Sequence, residues 1–364
     1  KTYAISITPE IAGLINPLDP ADPLAVQFIP SLSERVTRTD ELHDPIGDHV
    51  HSPVPGVVHR YPDRVLLKLV HVCPVYCRFC FRREMVGPGA ETHMSPEALS
   101  TALAYIESQP AIWEVILTGG DPLILSARRL GELMDRLDAI PHVKIVRLHS
   151  RVPVVDTARI TPDLVQALRR PNLTTYVALH ATHPRVAVPA AKAACACLVD
   201  GGIAMVSQSV LLRGVNDHVE TLAALMRGFV EMRVKPYYLH QGDLARGTSH
   251  LRVPLEEGRA LMKALLGRVS GLCQPSYMLD IPGGYGKVPI NADYLETGPE
   301  GCTVTDYQGG RHDYAYPSSF PRRMQQARLN SMCIESAEIF SCSNALRFLF
   351  PWPLRPSCFC WSAV

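Results

Sequence analysis

The sequence predicts an α/β protein, a parallel sheet wound with its helices into an incomplete (β/α)6-type barrel, with additions at both ends. Three observations predict it. Apolar runs of strand length alternate with helical patterns six times between residues 65 and 270. The runs are rich in Val, Ile and Leu, as strands covered on both faces require. The residues capable of chemistry fall at or just after the C-terminal ends of those runs, where an α/β barrel carries its site.

In order, residues 1–58 hold Pro9, Pro17, Pro20, Pro23, Pro30, Pro45, Pro53 and Pro55 with little periodicity, so short helices and extended pieces wrapping the core are expected, as surface padding. Residues 65–72 read as the first strand, and residues 95–108 as a helix with Ser95 capping and Pro96 at its first position. Strands at 114–118, 144–149, 174–180, 203–212 and 236–240 follow, with helices at 126–139, 162–169, 188–199, 218–232 and 255–270 between and after them. Successive units of this kind call for right-handed crossovers. The expected plan is therefore an N-terminal wrapping segment (1–58), a barrel with the site (59–290) and a C-terminal extension (291–364). After about residue 323 period and turn logic vanish, so the tail is expected to be atypical or disordered and is assigned no function.

With 364 residues, 47% hydrophobic and 20% charged, the chain can bury a large core. A net charge of +1 gives no broad field for nucleic acid, and no apolar run is long enough for a membrane helix. Eleven cysteines in this length do not read as a disulfide scaffold, and a reducing cytoplasm is the expected compartment. The chain opens on Lys1 rather than Met, so a preceding native segment is expected.

Cys73-Pro74-Val75-Tyr76-Cys77-Arg78-Phe79-Cys80 leaves the first strand in a tight loop. Three thiolates turned to one point suit an iron–sulfur cluster, with one iron of a [4Fe–4S] cube left open. A zinc site needs a fourth ligand from elsewhere, and no second C-x2-C pair lies at zinc-ribbon distance. Thr118-Gly119-Gly120-Asp121-Pro122 lets backbone approach a ligand beside a carboxylate, though alone it is an ordinary turn. In Asp280-Ile281-Pro282-Gly283-Gly284-Tyr285-Gly286-Lys287, a lysine on a glycine-rich loop is a Schiff-base candidate for pyridoxal phosphate. A nucleotide loop of the G-x-x-x-x-G-K-[ST] type is absent, since Val288 follows the lysine, and a plain surface turn stays open. His59-Arg60-Tyr61-Pro62-Asp63-Arg64 offers guanidinium forks to a phosphate or merely a charged strand entry.

The cysteine stretch and its continuation Phe81-Arg82-Arg83 resemble the lysine 2,3-aminomutase family of radical S-adenosylmethionine (SAM) enzymes, and the resemblance extends from about residue 59 to about 289. It implies a [4Fe–4S] cluster on Cys73, Cys77 and Cys80, SAM held by Gly119, Gly120, Asp121, His180 and Gln208, and pyridoxal phosphate on Lys287 with Arg60, Tyr61 and Arg64 around it. It further implies that Arg82 pairs with the carboxylate of an amino-acid substrate and that Asp243 and Asp280 hold the distal ammonium of L-lysine. The activity implied is migration of the amino group from C2 to C3 to give β-lysine, with an external one-electron reductant and possible assembly into a homo-oligomer. Arginine, ornithine or glutamate are alternative substrates, and supply of β-lysine for modification of elongation factor P an alternative destination. A non-catalytic Fe–S or zinc protein stands as the reading from another class. Two residues depart from the pattern: Tyr285 stands where relatives commonly have glycine, and His240 where many have tyrosine, as a subgroup serving elongation factor P does. Relatives often bind zinc through C-terminal cysteines; Cys358 and Cys360 lack the surrounding pattern.

Overall fold

The computed structural model describes residues 3–87, 92–298 and 301–314. The atypical tail and Cys358 and Cys360 lie outside them. One compact unit comprises the described residues up to 294 together with 306–310; residues 295–298, 301–305 and 311–314 belong to a second.

The first unit is built on a nine-stranded sheet in strict sequence order: β1 (Val57–Tyr61), β2 (Arg64–Val70), β3 (Glu114–Gly119), β4 (Ile145–Ser150), β5 (Thr174–His180), β6 (Ala204–Val210), β7 (Lys235–His240), β8 (Ser276–Asp280) and β9 (Lys287–Pro289). Strands β2 to β8 run parallel, each beside its predecessor, while β1 and β9 are antiparallel edges. Every crossover steps one strand in the same direction, and that winding curls the sheet into a partial barrel. Among the described residues no ladder joins β1 to β9, so the barrel is incomplete, as expected.

The helices are α1 (Pro9–Leu14), α2 (Pro23–Phe28), α3 (Pro96–Glu107), α4 (Ala127–Asp138), α5 (Val152–Val155), α6 (Pro162–Ala167), α7 (Pro189–Asp200), α8 (Val219–Glu231) and α9 (Leu255–Leu265). Their starts follow local chemistry. Ser95 accepts from the Ala98 N–H before α3, and Ser126 from the Arg129 N–H before α4. In α4, Leu130, Leu133, Met134 and Leu137 are buried at helical spacing, with Arg128, Arg129 and Glu132 on the solvent side. Helix α9 stops five residues before the expected end, and Gly267 follows with φ +77, a conformation that breaks a helix. The sequence did not flag β1, β8 or β9. They are three to five residues long with mixed burial, too short to carry a period of their own.

The N-terminal segment is more than padding. Glu34 is buried against the cysteine loop and accepts from Arg78 at 2.8 Å (Nε) and 2.5 Å (Nη2) and also from Arg83. Arg78 donates further to the Ala4 carbonyl (2.9 Å), and Arg83 to the Arg78 carbonyl (2.7 Å). One carboxylate thus pins both arginines that flank Cys80. Glu34→Ala leaves two buried guanidinium groups facing each other, and a loss of about 3–5 kcal/mol is expected in urea unfolding. A midpoint within error of the parent's removes this account of the loop.

The second unit is a meander of β10 (Leu295–Gly298), β11 (Gly301–Thr305) and β12 (Arg311–Tyr314), with Arg311 and Glu296 paired at 2.7 Å on its exposed face.

Candidate active site

A cavity of about 530 Å³ opens at the C-terminal ends of the parallel strands and runs down the barrel axis. Every residue singled out above lines it: the three cysteines, the SAM-loop and pyridoxal-phosphate candidates, and the three substrate candidates. Sequence positions more than two hundred apart converge because each follows a strand of one curled sheet.

Cys73, Cys77 and Cys80 are free thiols on the loop after β2. Burial pushes all three up, Cys77 to about 11; Cys77 and Cys80 also raise Cys73, and Cys80 raises Cys77. Thiolate is therefore costly there without a cation, and iron supplies that cation when it binds. Among the described residues no three His, Cys, Asp or Glu side chains converge closely enough to share one metal ion; three thiolates on three separate irons have no need to. The donor set suits a cluster.

The glycines beside the loop have a packing reason of their own. A Cβ on Gly119 would lie 2.2 Å from the Val70 carbonyl oxygen, and one on Gly120 2.0 Å from that of Val72. Only bare backbone lets β3 leave the sheet under the cysteine loop. Asp121, expected among the SAM-holding residues, also has a structural role. Its carboxylate accepts from the backbone N–H of Arg151 (2.7 Å) and of Leu123 (3.0 Å), which caps the short turn after it. Gly119 and Gly120 present backbone to the cavity, and Asp121 holds that backbone in place.

His180 on β5 donates through Nε2 to Gln208 Oε1 on β6 at 2.9 Å, and the Gln208 amide reaches Nε2 of His149 on β4 at 3.4 Å. Burial drives both histidines down, His180 to about 3, so the relay is neutral. Arg64 pairs with Asp63 at 2.6 Å and covers the Tyr61 ring at 3.9 Å. Tyr61 Oη accepts the backbone N–H of Lys287 at 2.9 Å. Arg60 donates to the Ile46 carbonyl.

Lys287 opens β9. Its ammonium lies 3.3 Å from Asp280 Oδ1, and Asp280 Oδ2 also receives His240 Nδ1 at 3.2 Å. Burial acts to raise Asp280, but His240 and Lys287 outweigh it and hold the carboxyl well below its usual range. Asp243 behaves oppositely: burial, then the Asp280 charge, push it up to about 7. Tyr285 is 81% exposed, with its ring over Gly283 of the same loop.

Arg82 projects Nη1 to Thr118 Oγ1 at 3.3 Å, and its Nε and Nη2 to Asp48 at 3.1 and 3.0 Å. Asp48 was not flagged by sequence, nor was Arg147, paired with Glu114 at 2.8 Å beneath the stacked rings of Tyr237 and Tyr238. Arg147 did leave a signal, a charge inside a buried strand. Asp48 left none, because its partners are remote in sequence.

A model of the radical SAM superfamily matches residues 67–226. The L-lysine 2,3-aminomutase of Clostridium subterminale is 39% identical over 321 residues, covering 88% of this chain and 77% of that protein. The chain belongs to the lysine 2,3-aminomutase family. It is thus a radical SAM enzyme, an isomerase of the aminomutase type, and this family membership implies a [4Fe–4S] cluster and SAM. Another aminomutase of the same name, from Fusobacterium nucleatum, is 38% identical over 88% of this chain and 75% of its own length. A glutamate 2,3-aminomutase from Clostridioides difficile is 33% identical over 80% of this chain and 68% of its own length. The aminomutase relatives therefore differ in substrate, which leaves the choice to the chemistry of the cavity. No helix among the described residues is long and apolar enough to cross a membrane.

Proposed function

We propose that this aminomutase moves the amino group of L-lysine from C2 to C3, with pyridoxal phosphate held through Lys287. The observation that carries the substrate is the pair of carboxylates, Asp243 and Asp280, on the wall of one cavity, where the Asp280 charge acts on Asp243. Two carboxylates suit a distal ammonium and repel the distal carboxylate of glutamate. Bound there, the cluster and SAM supply hydrogen abstraction, and pyridoxal phosphate carries the migrating nitrogen.

The chain's own residues supply orientation. Arg82 presents its guanidinium to the substrate carboxylate, while Arg60 and Arg64, with Tyr61 between them, face a phosphate. Asp280 holds the Lys287 amine by an ion pair in the free protein, and the incoming ammonium takes over that partner. Neutral His149, His180 and Gln208 offer hydrogen bonds without charge beside the cysteine loop.

The pH dependence follows. A lysine ammonium needs Asp243 ionised, so affinity rises as pH climbs through the carboxyl's value of about 7. Below it KM for lysine should increase about tenfold per pH unit, since each bound proton must leave first. Asp243→Asn should flatten that profile; a slope unchanged in the variant removes the assignment.

The deciding experiment is anaerobic. The protein is reconstituted with iron and sulfide, given pyridoxal phosphate, SAM and a one-electron reductant, and offered lysine, arginine, ornithine and glutamate together. β-Lysine alone is the expected product by chromatography and mass spectrometry. SAM cleavage without a β-isomer of lysine discards the substrate.

A further inference from the structure

Residues 44–52 form a turn that makes its own shape. The Asp44 carboxylate accepts the backbone N–H of Asp48 (2.9 Å) and of His49 (2.8 Å), and Ser52 Oγ donates to the Asp48 carbonyl (2.8 Å). Two sets of contacts leave it in different directions. Asp48, 2% exposed, takes Arg82 at 3.0 Å and Arg60 at 3.6 Å, and Arg82, Lys68 and Arg60 overcome burial to hold it below its usual range. Gly47 lies backbone against backbone on the lysine loop: at φ +68, a Cβ there would come 2.6 Å from Gly284 Cα. His51 Nε2 donates to the Gly284 carbonyl at 2.9 Å.

The loop needs that support. Gly283, Gly284 and Gly286 sit at φ +89, +89 and +93, and a run of glycines has the most backbone freedom to lose. A lysine at the end of such a loop is no better placed than the loop. We propose that the turn at 44–52 is a positioning element: one rigid piece seats the glycine loop through Gly47 and His51 and holds Arg82 through Asp48. It thereby fixes the separation between Lys287 and the guanidinium assigned to the substrate carboxylate. The meaning of those two ends rests on the proposed function; the seat itself does not.

Hydrogen exchange read by mass spectrometry over residues 282–287 tests the seat directly, with or without cofactor. His51→Ala should speed exchange there about fivefold, the scale of one lost hydrogen bond. His51→Gln, whose amide can donate to the same carbonyl, should restore it, and Gly47→Ala should act as His51→Ala does. Pyridoxal phosphate retained after desalting should fall in parallel, with iron content unchanged. Asp48→Asn should instead raise KM for lysine about tenfold, leaving exchange at 282–287 and cofactor retention at parent levels. Unchanged exchange in both His51→Ala and Gly47→Ala overturns the proposal. So does a common loss of iron, cofactor and protection in all the variants, which marks a general folding role. Failure of the proposed function looks different: the parent retains no pyridoxal phosphate while the exchange differences persist.

Discussion

Lys287→Ala is expected to lose turnover by ~10⁴-fold or more, as removal of a positioned reactive group does, while iron and sulfide content and SAM cleavage stay at parent levels. The physical basis is separation within one cavity. The Lys287 ammonium pairs with Asp280 and its backbone N–H with the hydroxyl of Tyr61, and neither of these residues belongs to the cysteine loop. The measurement is paired: product formation, and absorbance of the bound cluster before and after reconstitution. Normal turnover in the variant sinks the pyridoxal assignment. Loss of the cluster along with activity means that Lys287 supports the fold and not only the chemistry.

Asp280→Asn is the second large effect. Its carboxylate is 8% exposed in the side chain and faces two cationic or donor groups already, Lys287 and His240. An ammonium brought to an amide in that place lacks its counter-charge, and breaking such a buried pair costs about 3–5 kcal/mol, or ~10²–10⁴ in kcat/KM for lysine. For 2-aminohexanoate, which has no distal ammonium, the same substitution should cost far less. Equal losses on both substrates show that Asp280 acts on Lys287 alone and that the distal ammonium is held elsewhere.

Much of this was legible in the sequence, and for identifiable reasons. The parallel strands announced themselves because both faces are covered, which leaves near-continuous apolar runs such as Val65 to Val70, interrupted only by Lys68. Much of the site followed because a barrel places strand exits on one rim, so Cys73, Gly119, His180 and Gln208 needed no contact information to be grouped; Lys287 came from its glycine-rich loop and the family resemblance. What escaped was whatever depends on remote partners. Asp48 and Glu34 lie among prolines without period, and only the fold brings them to Arg82 and to Arg78. Asp121 shows the converse: the motif was visible, but the hydrogen bonds its carboxylate accepts from the N–H groups of Leu123 and Arg151 form a structural role no spacing reveals. The short strands β8 and β9 escaped because pairing, not composition, makes them strands.

The Tyr61–Lys287 hydrogen bond joins the two rims of the open sheet, β1 to β9, across 226 residues of chain. Every other neighbour in the sheet is joined by a ladder; here a single side-chain bond spans the gap. Such a contact, like that of His51 with Gly284 across 233 residues, closes one of the long loops of the chain, so its entropy cost is repaid only once the intervening units have docked. On the proposed function, competence to hold pyridoxal phosphate at Lys287 thus depends on a long-range closure, and a chain stalled short of it has a cysteine loop but no Lys287 in place.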